Sequence, residues 1–97
     1  SIYALGLKMP KRTRFSIYLK IENTCLELLA LSIEAAFSSK EKKLLVLERA
    51  RIKTEVIKRL VRILYDTGSI QEKPYTHLQM ALQEISKMIN GWIKYLA

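Results

Sequence analysis

Three glycines and two prolines are all that interrupt 97 residues. A sandwich or barrel of this size needs many more turn residues. Scarce punctuation therefore predicts an all-α chain of long helices with few connections, and the length fits one domain over residues 1–97. Pro10 fixes its own φ and biases Met9 away from helix, so residues 1–12 form a short piece ending in a basic turn. Ser16 is the expected N-cap of a first long helix, over about 16–37. Ser38-Ser39 breaks it, and Ser38 with Glu41 has capping-box spacing for a second helix over 40–66. Gly68 supplies the left-handed residue after that helix. Ser69 with Glu72 has box spacing, and Pro74 fits only within a first turn, which predicts a third helix over 72–95.

The helix faces carry more information than the boundaries. Leu47, Ala50, Thr54, Ile57, Val61 and Leu64 repeat at 3-4-3-4-3 spacing, the seam of a helical bundle. Ile52, Val56, Leu60 and Ile63 widen that apolar arc. In the third helix Leu78, Ala81 or Leu82, Ile85, Met88 or Ile89, Trp92 and Leu96 make the seam, and Gly91 suits close backbone approach or helix termination. The first long helix is apolar on most sides, with a narrow polar strip of Lys20, Asn23, Glu27 and Glu34. A helix apolar on most sides is expected to be buried on most sides, either in a subunit interface or as the central helix of the bundle.

The net charge is +8, and half of it comes from Lys8, Lys11, Arg12 and Arg14 within a stretch that has no acid. That imbalance suits a polyanionic partner, with plain solubility as the alternative. Arg51, Lys58 and Arg62 stack along one sector of the second helix, as a phosphate-tracking stripe or an ordinary solvated face. The candidate nucleic-acid-binding residues are thus Lys11, Arg12, Arg14, Arg51, Lys58 and Arg62.

Catalytic constellations are missing from the sequence. His77 is the sole histidine and has no partner at a diagnostic spacing. Cys25 lies on an apolar stretch and reads as a buried structural thiol. No CxxC, Cys/His cluster or phosphate-binding glycine loop is present. We expect no enzymatic activity, no metal and no cofactor. A single cysteine favours a reducing, cytoplasmic setting. No apolar run has the length of a membrane span, and the start does not read as a signal peptide. The first residue is Ser rather than Met, so either the chain is trimmed or its first helix is short.

Three stretches, MPKRTRFSIYLKIENTCLELLALSIEAAF, LLVLERARIKTEVIKRLVRILYDTG and YTHLQMALQEISKMINGWIKYL, resemble the accessory variability determinant proteins of diversity-generating retroelements. These are grouped with bacterial four-helix-bundle proteins that include those encoded in ribosomal RNA intervening sequences. The marks are Pro10, Lys11, Arg14 and Phe15 in a turn before a helix, then Gly91-Trp92 near the end, in a match over residues 3–96. The resemblance implies an up-down four-helix bundle that assembles as a homopentamer. It implies binding of the element's reverse transcriptase and template RNA or cDNA, in support of mutagenic copying, without a catalytic site. Two departures stand out. Only about residues 2–9 remain for the first helix, and Ser86-Lys87 replaces the Gly-Arg common in relatives.

The competing expectation is a helical scaffold, or a ribosomal-RNA-associated bundle, that has no reverse transcriptase partner and whose charge serves solubility. A membrane-surface role is disfavoured, because a folded bundle hides the apolar face it would need.

Overall fold

The computed structural model describes residues 9–96, in three helices with no strand among them. The order is α1 (Lys11–Phe37), α2 (Lys40–Asp66) and α3 (Glu72–Leu96). Short connections make them run up, down and up, over 48 × 22 × 21 Å. Helix α2 packs against both neighbours, whereas no Cα of α1 comes within 8 Å of one in α3. The expected short helix before Pro10 falls on residues outside the described ones, apart from Met9, which is buried and not helical.

The α2 seam explains this arrangement. Leu47, Ala50, Thr54, Ile57, Val61 and Leu64 are all buried, as their spacing predicts. The hydroxyl of Thr54 donates to the Ala50 carbonyl at 2.9 Å, so the seam's one polar side chain is satisfied within its own helix. Helix α1 adds Thr24, Leu28, Leu31 and Ala35, and α3 adds Leu82 and Ile89. Of the wider α2 arc, Ile52 is exposed and Val56, Leu60 and Ile63 are half-buried.

Several sequence expectations are corrected. Helix α1 starts five residues before Ser16, directly after Pro10, whose φ of −57° already suits a helix entry. The Pro10 carbonyl accepts the Arg14 N–H at 3.0 Å. Ser16 is therefore inside the helix, its hydroxyl bonded to the Arg12 carbonyl. Ser38 starts no helix: its hydroxyl reaches back to the Glu34 carbonyl, and Ser39 occupies the N-cap of α2 without a side-chain bond. The α2 end follows its prediction. Gly68 has φ +72°, and the Gly68 and Ser69 N–H groups bond Tyr65 and Leu64 carbonyls at 3.0 and 2.8 Å. That pairing is a Schellman motif.

Helix α1 is not buried on most sides, and α2 is the central helix. Phe15, Leu19, Leu26, Leu29, Ile33 and Phe37 of α1 are exposed. A Cβ on Gly91 would meet nothing within 4 Å, and α3 continues past it, so this glycine serves neither close approach nor termination. Leu78 and Met88 of the α3 seam are exposed, because α3 has α2 on one side only.

Candidate nucleic-acid interface

The up-down order brings the start of α1, the end of α2 and the start of α3 to one end of the molecule. The Tyr18 hydroxyl on the Ser69 carbonyl, 3.4 Å away, ties α1 to the connection between the other two. Lys11 and Arg12 are exposed in the first turn of α1 and Arg14 is half-buried. No acid stands in that turn, and none of the three forms an ion pair among the described residues. Cations at a helix N-terminus add to the positive end of its dipole, so this turn repels other cations and favours an anion.

The α2 stripe is different in kind. Arg51 pairs with Glu48, Lys58 with Glu55 at 3.1 Å, and Arg62 with Asp66 at 3.0 Å. Each cation thus has a carboxylate three or four residues away, which cancels much of its field. Lys58 also donates to the Gln83 side chain at 3.0 Å, and Gln79 donates to the Lys58 carbonyl at 3.3 Å, joining α2 to α3. Arg62 donates to the Tyr75 hydroxyl at 3.2 Å and lies 5.7 and 5.9 Å from the Tyr65 and Tyr75 ring centres. Its bond to Tyr75, then its pairing with Asp66, hold the guanidinium even more firmly protonated than usual.

A shallow cleft gathers Lys58, Arg59, Arg62, Ile63, Tyr75 and Gln79 beside Glu55. Arg59 belongs to the basic end and was missed in sequence, because it falls off the sector shared by Arg51, Lys58 and Arg62. Its exposure and its lack of an ion pair among the described residues set it with Lys11 and Arg12. The structure thus brings Lys11, Arg12, Arg14 and Arg62 to one end and leaves Arg51 farther up α2.

The opposite character appears between α1 and α3. A groove of about 470 Å³ runs there over Leu47 and Ile57 of α2. Cys25, Leu28, Leu29 and Ser32 form one wall, and Leu82, Ile85, Met88, Ile89 and Trp92 the other. Cys25 is exposed at this lip rather than buried, though partial burial still raises its thiol above the usual pKa. Trp92 packs against the core with the Lys43 ammonium 5.9 Å from its ring. His77 is exposed, and among the described residues no three His, Cys, Asp or Glu side chains gather as metal ligands. No helix of the described residues is long and apolar enough to cross a membrane.

No curated protein and no solved structure matches the chain. The model of the bAvd-like family, in contrast, matches residues 1–96, which includes the Pro10 turn, the basic end and Gly91-Trp92. The chain belongs to the bAvd-like family, consistent with the accessory variability determinants of diversity-generating retroelements.

Proposed function

We propose that the protein is a non-catalytic accessory factor of a diversity-generating retroelement. It binds the element's reverse transcriptase and its template RNA or cDNA, and so supports mutagenic copying, in the cytoplasm and as a homo-oligomer. The observation that carries this reading is the basic end, where Lys11, Arg12 and Arg14 face solvent or its margin without carboxylate partners, in a chain of this family. Such side chains act on phosphates as point charges or forks, and they read no base. Specificity then comes from the RNA's shape and from the polymerase.

The resemblance carries two finer elements, an up-down four-helix bundle and a copy number of five. The groove between α1 and α3 supports the first, since its apolar walls stand apart over the α2 seam as they would around a fourth helix.

The test is the affinity for template RNA measured against salt. Each phosphate neutralised adds about 0.7 to the log–log slope for a single strand. A Lys11→Gln, Arg12→Gln, Arg14→Gln variant should flatten the slope by about 2 on that scale. An unchanged slope would remove this turn from the interface.

One observation favours the protein-only scaffold as a second reading. Arg51, Lys58 and Arg62 are each held by a carboxylate of their own helix, as expected of charges that serve folding and solubility. Binding to the reverse transcriptase without RNA affinity would select it.

A further inference from the structure

Phe37 and Tyr95 are the two most exposed large apolar side chains among the described residues, at 88 % and 86 %. Both stand at the end of the molecule opposite Lys11, where α1 finishes, α2 begins and α3 finishes. Neither ring adds burial to this fold, so neither is explained by its core.

The charge at this end is equally one-sided. Residues 35–47 and 85–96 contain Lys40, Lys42, Lys43, Lys87 and Lys94 against one acid, Glu41. Lys87 pairs with Glu84, whereas none of the other four lysines forms an ion pair among the described residues. A shallow cleft brings Ser38, Lys40 and Lys43 together with Tyr95 and Leu96. The Lys43 ammonium also lies 5.9 Å from the Trp92 ring centre, a cation–π contact that holds it without neutralising it. The N-terminus of α2 opens beside these lysines, with no side-chain cap from Ser39, and the positive end of its dipole adds to their field.

This end is separate from the basic turn. Helix α1 is about 40 Å long at 1.5 Å per residue. Residues 1–8 enter at its other end, and eight residues span at most about 29 Å. They are too short to cover Phe37, Lys40 or Tyr95.

Ammonium groups beside exposed aromatic faces are the two parts of a single-strand nucleic-acid site. The cations follow phosphates, and a ring takes any base by stacking. A duplex offers phosphates but keeps its base faces stacked inside, so it would leave the rings unused. An anionic bilayer would need a broad apolar face to enter it, whereas here ring and ammonium share one cleft.

We infer that this end binds an unpaired stretch of nucleic acid, with a base on Tyr95 and the adjoining phosphates on Lys40 and Lys43. The inference rests on the reading that the protein handles nucleic acid, but not on the turn of Lys11, Arg12 and Arg14.

The experiment titrates the full chain with a single-stranded oligoadenylate of about 12 nucleotides, a length such a site covers. Trp92 is the sole tryptophan, and its contact with Lys43 makes its emission a reporter of this end. The emission should change and saturate. The same strand paired with oligouridylate should bind at least about fivefold more weakly, for want of a base to stack. Tyr95→Ala should weaken the single strand about 5- to 150-fold with unchanged helical circular dichroism, and Tyr95→Phe should retain the affinity. Lys40→Gln should lower the log–log salt slope by about 0.7. Unchanged Trp92 emission, equal affinity for the duplex, or undiminished affinity in Tyr95→Ala would each overturn the inference. So would a response to phosphatidylserine vesicles but not to oligoadenylate, which would assign this end to a membrane surface. The Lys11→Gln, Arg12→Gln, Arg14→Gln variant separates the two sites, because it should keep the Trp92 response. A silent Trp92 beside a salt slope that still depends on that turn would overturn this inference alone.

Discussion

The rings of Tyr65 and Tyr75 stack with centres 4.1 Å apart and planes 10° from parallel. One stands at the end of α2 and the other at the start of α3, so the stack fixes the turn between them, and Arg62 bonds its outer edge. An aromatic pair contributes about 0.5–1.5 kcal/mol beyond the area it buries. Tyr75→Ala should therefore cost about 2 kcal/mol in urea unfolding. Tyr75→Phe keeps the stack and loses only the hydroxyl, so it should retain most of the stability.

Neighbouring leucines on α2 should behave oppositely. Leu47 is 1 % exposed in the seam and Leu45 is 69 % exposed. Leu47→Ala should cost about 3 kcal/mol, within the range for a buried leucine. Leu45→Ala should stay within about 0.5 kcal/mol of the parent. The same urea titration compares them.

Two glycines should also separate. Gly68 holds φ +72° in the α2 cap, where an L side chain is strained, so Gly68→Ala should destabilise by about 1–2 kcal/mol. Gly91 is helical with open space around its absent Cβ. Gly91→Ala should therefore stabilise by about 0.5–1 kcal/mol, seen as a raised urea midpoint.

The Glu27 carboxylate is held below its usual pKa, first by its hydrogen bond to Lys53 and then by the charge of that ammonium. Its folded pKa is the lower one, so the unfolded state takes up the proton first on acidification. The pair's contribution is complete above the unfolded value of about 4.3 and fades as pH falls through the folded one. Wild type should exceed Glu27→Gln in stability at pH 7 and lose that margin below pH ~4. A margin that persists into acid would assign the difference to packing.

The α2 seam was legible because its apolar residues keep one spacing on one face. Helix α1 was not. Its core residues Leu28, Leu31 and Ala35 stand opposite Phe15, Leu26 and Ile33, and periodicity alone does not say which apolar face meets the chain's own core. The start of α1 was missed because proline's fixed φ, rather than a serine hydroxyl, decides it. The α2 cations could be placed on one sector, and their carboxylates at three- or four-residue spacing were readable too. The Tyr65–Tyr75 stack was not readable, since it joins residues across a loop whose path only the fold determines.

The most direct measurement is reconstituted cDNA synthesis. The element's reverse transcriptase and template RNA are combined with and without the protein, and the products are sequenced. The account predicts that template-primed, mutation-bearing cDNA depends on the protein and falls when Lys11, Arg12 and Arg14 become Gln. Equal yield and mutation frequency in its absence would contradict an accessory role.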